Sequence, residues 1–388
     1  MKVLMINSVC GIRSTGRICT DLAEELEKQG CECKIAYGRE TVPEKYKKFA
    51  VRIGSNFTVK IDAIKTRLFD NAGFNSKRAT KKFIKWVEKF NPDVIHLHNL
   101  HGYYINVKLL FDYIRRTGKK VIWTLHDEWS FTGHCAVLGT CEKWKEGCLN
   151  CTKNRAYPFS FVNKSKKNHL KKKELFAELE DITIITPSKW LANLVKDSFL
   201  SKYDVKVINN GIDVSIFKPT ESDFRERFNL LDKKIVLGVA SAWGRGKGIQ
   251  DFVKLSKILT NNFKIVLVGV TEEHKAELPK NILAINKTNN VKELAEIYSS
   301  ADILVNPTYI DNYPTVNLEA QCCGTPVITY NTGGSVESVP QEHVVEQGNV
   351  DKLAEMIVKV FEEENATVLH LDSFDKKTMI KEYIEIYH

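Results

Sequence analysis

The sequence predicts an α/β fold: two doubly wound, Rossmann-like domains facing one another across a central cleft. Three observations carry this. Strand and helix patterns alternate from the first residues, the signature of parallel sheets with crossover helices. The alternation starts afresh at Lys234-Ile-Val-Leu-Gly-Val239. The chain has 388 residues, more than a single hydrophobic core usually supports.

In order, Val3–Ile6 reads as a buried strand, followed by a polar glycine turn from Gly11 to Gly16 and a helix over Ile18–Gln29 that Gly30 ends. Cys33–Tyr37, Val94–His98, Val121–Leu125 and Ile182–Thr186 read as further strands, and Pro187-Ser188 opens a helix over Lys189–Ser198. Val207–Asp213 reads as a strand, then a turn and linker. The second series continues through Phe263–Val268, Ile303–Asn306 and Pro326–Thr329. These readings give a first domain over 1–207, a second over 208–370, and a C-terminal segment, 371–388, whose helix packs back on the first domain.

Hydrophobic residues make up 43% and charged residues 27%, an ordinary soluble composition. No apolar run reaches the roughly 18 residues of a membrane span, and the N-terminus reads as a strand, so a cytoplasmic protein is expected. The net charge of +9 suits an anionic ligand, and no nucleic-acid recognition motif accompanies it. Lys164, Lys166, Lys167, Lys171, Lys172 and Lys173, with Leu170, Leu175 and Phe176 at helical spacing, read as a basic helix suited to the inner face of an anionic membrane, or simply as a solvated face.

The most informative stretch runs from Ala301 to Ala320, with Gly324-Thr-Pro-Val327 and Thr332-Gly-Gly334 after it. A strand ends at Asn306, the loop carries Asp311, Asn312 and Tyr313, and Pro314 sits where a helix begins. The free amides near Thr315, with the helix dipole, suit a diphosphate. Glu319, one turn further, can accept hydrogen bonds from ribose hydroxyls.

This stretch resembles the E-x7-E region of retaining GT-B glycosyltransferases of family 4. The segment Asn209-Asn-Gly-Ile-Asp213, with Phe217 and Pro219, is similar to a further element of that family. Ser14–Ile18, Trp123–Asp127 and Phe131–Cys135 resemble a subgroup associated with bacterial surface polysaccharide assembly, the colanic-acid-type enzymes. The resemblance implies that Glu319 holds the donor ribose and that Asp311 contacts sugar hydroxyls, although the family usually has glutamate there. It also implies two cations on the leaving diphosphate. Lys247 stands in place, while the usual arginine position falls at Ala242 and Arg245 compensates from the same loop.

In the first domain, Gly16 is expected to approach the donor phosphate through its backbone, with Arg17 as an anion contact on the acceptor side. His98 and His126 leave neighbouring strands towards the ligand side. The resemblance places His126 near the transferred sugar, and His126 or Asp127 would orient or deprotonate the acceptor hydroxyl. Cys135, Cys141, Cys148 and Cys151 crowd one loop. A structural zinc is one reading and four reduced thiols the other.

The expected activity is transfer of a sugar from a UDP- or GDP-sugar, with retention and without a catalytic metal, to a hydroxyl of a glycan or lipid-linked acceptor. A GT-B nucleotide-sugar epimerase and a catalytically silent sugar- or nucleotide-binding protein are the alternatives.

Overall fold

The computed structural model describes residues 1–362 and 371–388, apart from the side chains of Arg245, Leu371 and Asp372. The chain forms two compact units, Met1–Ile208 with Ile380–His388, and Asn209–Met379.

Among the described residues the first unit has seven strands: β1 (Lys2–Asn7), β2 (Glu32–Tyr37), β3 (Ala50–Arg52), β4 (Val94–Leu97), β5 (Lys120–Thr124), β6 (Ile182–Thr186) and β7 (Asp204–Val207). All pair in parallel, in the order β3-β2-β1-β4-β5-β6-β7. The helices are α1 (Arg13–Lys28), α2 (Asn56–Phe69), α3 (Lys77–Phe90), α4 (Val107–Thr117), α5 (Ser165–Phe176) and α6 (Lys189–Lys196). The central strands are buried on both faces, which is why they read as continuous apolar runs such as Val-Leu-Met-Ile.

The second unit repeats the plan with β8 (Lys234–Val239), β9 (Phe263–Val268), β10 (Ile282–Ile285), β11 (Ile303–Asn306), β12 (Val327–Tyr330) and β13 (Val344–Val345). They are parallel, in the order β10-β9-β8-β11-β12-β13. Its helices are α7 (Phe224–Arg227), α8 (Ile249–Ile258), α9 (Glu272–Glu277), α10 (Val291–Ser300), α11 (Thr315–Cys322) and α12 (Val350–Glu362). In each sheet the strand order reverses beside the first strand, between β1 and β4 and between β8 and β11. Ligands of doubly wound sheets bind at the carboxyl ends of such a switch point.

Several local expectations are corrected. Gly11, at φ +72°, makes the first turn by itself, so α1 starts at Arg13 and Gly16 lies inside it rather than in the turn. The strand expected to open the Val207–Asp213 segment, ahead of its turn, instead ends at Val207. It is a short edge strand, Asp-Val-Lys-Val, whose half-exposed alternation lacks a continuous apolar run. The lysine-rich α5 is no free amphipathic helix: Leu175, Phe176 and Lys172 are buried, while Leu170 is exposed.

The last helix, α13 (Lys376–Tyr387), ends within the first unit. His96, on β4, is bonded there to the Tyr387 hydroxyl through Nδ1 (2.7 Å) and to the Thr124 hydroxyl through Nε2 (2.8 Å). The Tyr383 hydroxyl reaches the same Thr124 at 3.1 Å. Burial, and secondarily His126, push the His96 pKa down to about 3, so the ring is neutral. Y387F leaves a buried ring nitrogen unpaired, and a loss of about 1–3 kcal/mol is expected in urea unfolding.

Candidate active site

Among the described side chains, the second unit's switch point brings together the Lys247 cation and the Asp311 carboxylate, ahead of a helix start. After β8, the turn Arg245–Lys247 is followed by Gly248 at φ +70°. A Cβ on Gly248 would lie 2.2 Å from the Pro307 carbonyl oxygen, so only glycine lets this turn close against the β11 loop. The Tyr309 N–H (3.0 Å) and the Thr308 hydroxyl (3.1 Å) donate to the Gly246 carbonyl, fastening the two loops together. Lys247 Nζ then lies 2.5 Å from Asp311 Oδ2, with the lysine 38% and the aspartate 16% exposed. The Asn312 N–H donates to the other Asp311 oxygen at 3.0 Å. The Arg245 side chain, expected to assist, lies outside the described residues.

Pro314, expected as the first helical residue, is instead the N-cap of α11, one position earlier, and supplies no side-chain cap. The Thr315 and Val316 amides thereby have no capping side chain, beside the positive end of the helix dipole, while the Asn317 N–H donates to the Pro314 carbonyl at 3.2 Å. Tyr313 is buried, and its carbonyl accepts from Asn210 Nδ2 at 3.0 Å. Glu319, also buried, accepts a hydrogen bond from the Tyr298 hydroxyl at 2.9 Å on Oε2.

A buried polar network that the sequence reading missed fixes α11. Asn317 Oδ1 accepts from Asn306 Nδ2 (2.9 Å), and its amide donates to Ser338 (2.9 Å) and Ser335 (3.3 Å). Gln321 adds bonds to the carbonyls of Asn317 and Ser338. These bonds tie the strand end, the helix and the Thr332–Gly334 loop into one body. The Gly334 N–H in turn donates to the Asp311 carbonyl at 3.3 Å.

The first unit's switch point carries imidazoles and carboxylates. Asn7 bridges the loops there, donating to Val9 O and Thr15 Oγ1 and accepting from the Asn99 N–H. Gly16 is buried, and Arg17 is exposed. His98 Nδ1 lies 3.0 Å from His126 Nε2, and the buried His98 Nε2 has no hydrogen-bond partner among the described residues. Burial keeps both rings neutral, with the His126 pKa lowered to about 4 and that of His98 also well down.

Asp127 is placed otherwise. Its Oδ2 lies 2.5 Å from His101 Nε2, its Oδ1 accepts the Trp129 N–H at 3.0 Å, and His101 Nδ1 lies 3.2 Å from the Tyr157 hydroxyl. Burial pushes the Asp127 acid up, but the electrostatic attraction of the neighbouring His101 ring and these hydrogen bonds outweigh it and hold the carboxyl below its usual range. Tyr157 was not singled out from sequence, and His101 was given no role apart from the neighbouring histidines. The Tyr157-Asp127 relation is set by folding of a long loop and leaves no spacing signal.

The four-cysteine loop holds free thiols. Of the two readings, structural zinc or reduced thiols, the zinc finds no site among the described residues, where no three His, Cys, Asp or Glu side chains are grouped to hold a metal ion. Burial raises the Cys135 pKa to about 12 and raises that of Cys148. Lys172 instead fills the space beneath, donating to the carbonyls of Trp129 (2.6 Å) and Thr132 (3.0 Å).

Comparison with known proteins bears on the family and the fold. Residues 15–216 match the family described as Glycosyltransferase Family 4, and residues 220–378 match Glycosyl transferases group 1. The chain is 25% identical to the Escherichia coli (strain K12) protein assigned as colanic acid biosynthesis glycosyl transferase WcaC, covering 100% of this chain and 99% of that one. It is 26% identical to the N,N'-diacetylbacillosaminyl-diphospho-undecaprenol alpha-1,3-N-acetylgalactosaminyltransferase of Campylobacter jejuni, over 50% of this chain and 57% of that one. Among solved structures it is similar to sucrose-phosphate synthase from Thermosynechococcus elongatus (TM-score 0.74, 16% identity, 100% and 98% covered). It is also similar to Anabaena Alr3699/HepE in complex with UDP-glucose (TM-score 0.68, 14% identity, 99% and 98% covered). With two Rossmann-like units and a family match over more than half its length, the chain belongs to glycosyltransferase family 4.

Proposed function

We propose that the enzyme transfers a sugar from a nucleotide-sugar donor, with retention at the anomeric carbon, to a hydroxyl of a glycan or lipid-linked oligosaccharide in bacterial surface polysaccharide synthesis. The observation that carries the donor half is the Lys247–Asp311 pair beside the uncapped start of α11. Lys247 and the Thr315 amide would neutralise charge growing on the departing diphosphate. Asp311 would turn from Lys247 to the sugar hydroxyls, and Glu319, steadied by Tyr298, would hold the ribose. Asn312 and Tyr313 would shape the loop around the donor, with Gly16 near its phosphate and Arg17 on the acceptor side.

In the acceptor half the protonatable groups separate into two kinds. His126 and His98 are neutral and suited to hydrogen bonding. Asp127 is an ionised carboxylate that orients His101, the arrangement of a base and its orienting group. The reading assigns acceptor activation to this side and donor charge stabilisation to the other. Support for the substrate classes comes from the Campylobacter relative, named for an undecaprenol-linked acceptor, and from the UDP-glucose complex of the Anabaena protein.

A screen of UDP- and GDP-sugars for nucleoside diphosphate release, with undecaprenyl-type lipid-linked oligosaccharides present, tests the proposal. Release is expected with one donor class and only with acceptor added. Nucleotide release without acceptor, with deuterium from solvent entering the sugar, would instead identify an epimerase. Binding of donor without turnover under any condition would identify a silent binding protein.

A further inference from the structure

α2 is amphipathic the wrong way round. A surface helix normally turns apolar residues inward and polar ones to water. Here the inward side is Asp62, Thr66 and the following Asp70, all within 1% of complete burial. The outward side is Phe57, Ile61, Ile64 and Leu68, which are 70%, 36%, 53% and 48% exposed. At the helical spacing of i, i+4, i+7 and i+11 these four form one narrow stripe.

The inversion is built in rather than incidental. Asp62 accepts from Thr66, Asn75 and Ser76, and Asp70 accepts from His134 Nδ1 (2.5 Å) and the Lys164 N–H (2.6 Å). Those bonds hold the polar face down and leave the apolar stripe nowhere to go but outward. The stripe is extended by Phe161 and Val162, both exposed, because the Phe161 N–H donates to the Arg67 carbonyl at 2.8 Å.

The surrounding charge is of one sign. The sole acidic residue of α2 is the buried Asp62, so its exposed charges, Lys60, Lys65 and Arg67, are all positive. They flank the stripe on both sides, where long stems can follow it and lift the charge to the rim. Beyond its C-terminal end Lys164 Nζ lies 5.6 Å from the Phe69 ring centroid. Lys77, Lys167 and Lys171 gather nearby, close enough that Lys167, Lys164 and Lys77 add to burial in depressing the Lys171 pKa.

We propose that this face of α2, with Phe161 and Val162, is an interfacial membrane-binding surface that inserts its apolar stripe among anionic lipid headgroups. The combination of a narrow apolar stripe and a one-signed basic rim matches a bilayer with negative surface potential. It also explains a proximity within the first unit. Only a short segment separates Phe161 from Tyr157, whose hydroxyl contacts His101. The candidate acceptor residues therefore lie beside the proposed bilayer surface, where a lipid-linked hydroxyl would be presented. The proposal stands independently of the transfer reaction.

The test is sedimentation of the full-length protein with vesicles of phosphatidylglycerol and phosphatidylcholine, against phosphatidylcholine alone. Wild type is expected to bind the anionic vesicles and to release with added salt. The double substitution I64E/L68E, at half-exposed positions, should lower binding at least ~10-fold with an unchanged thermal midpoint. K60E/K65E/R67E should weaken binding to the anionic vesicles at low salt. Unchanged binding by I64E/L68E would overturn the proposal, as would wild type that stays in the supernatant. A wild-type dimer that I64E/L68E converts to monomer would overturn it too, by making the stripe a contact between copies.

Discussion

Replacing Lys247 by alanine is expected to lower kcat by about 10²- to 10³-fold, a loss of about 3–4 kcal/mol of transition-state stabilisation. The ammonium is the one described side-chain cation that the structure places at the β8–β11 switch point, 2.5 Å from Asp311 on the loop that leads into α11. A group that neutralises the leaving diphosphate acts most strongly as the glycosidic bond to it breaks, so its removal should fall mainly on kcat and less on KM. K247R should recover only part of the rate, because a planar guanidinium cannot occupy the point position held between Gly248 and Asp311. D311A should behave differently. Asp311 pairs with Lys247, so its removal frees the lysine for phosphate while removing the proposed contact to the sugar. Nucleoside diphosphate should then bind as well or better, while turnover falls. Calorimetric titration with UDP and GDP, alongside the release assay, separates the two variants. Full activity in K247A would remove the central support for the donor assignment.

The donor half was readable from sequence because its parts are close in the chain. Asp311, Pro314 and Glu319 lie within one loop and one helix, and the turn at Lys247-Gly248 carries its own glycine signal. What escaped notice was whatever depends on distant packing. Tyr298 and Glu319 meet only because α10 lies against α11, and Asn317 reaches Ser335 and Ser338 only after the Gly-Gly loop has folded back. The acceptor half was less legible. Histidines at 96, 98, 101 and 126 look alike in the sequence, yet His96 anchors α13, His98 and His126 form a neutral pair, and His101 turns to Asp127. The apolar spacing of α2 is that of an ordinary buried helix. Only the tertiary bonds of Asp62 and Asp70 reveal which side faces out. The lysine cluster on α5 read as one basic face because charge runs are visible in sequence, whereas the burial of Lys172 is not.

Substituting Glu128 by glutamine is expected to raise stability at neutral and alkaline pH and to flatten its pH dependence. Glu128 is 5% exposed, next to Asp127, and its Oε2 accepts the Leu138 N–H at 3.1 Å. Burial first, and the neighbouring Asp127 charge second, push its pKa from 4.5 up to about 8. A carboxyl raised in this way keeps its proton in the folded state while the unfolded chain gives it up. Between pH 4.5 and about 8 the folded state therefore binds more protons, and the unfolding free energy falls as pH rises through that window. Below the unfolded value both states are protonated and the penalty is absent. Above about 8 both are ionised and the penalty is at its full size. A shift of this size corresponds to about 5 kcal/mol at most, and roughly 3 kcal/mol has accumulated by neutral pH. Glutamine keeps the acceptor for the Leu138 amide and cannot ionise, so the difference between E128Q and wild type isolates this group from the histidines and from Asp127, which titrate in both proteins. Urea unfolding of the pair at pH 5 and pH 8 should show curves close together at the lower pH and separated by several kcal/mol at the higher one. Equal separation at both pH values would mean that Glu128 is ionised in the fold, and that the carboxylate beside Asp127 is stabilised by the loop rather than kept neutral within it.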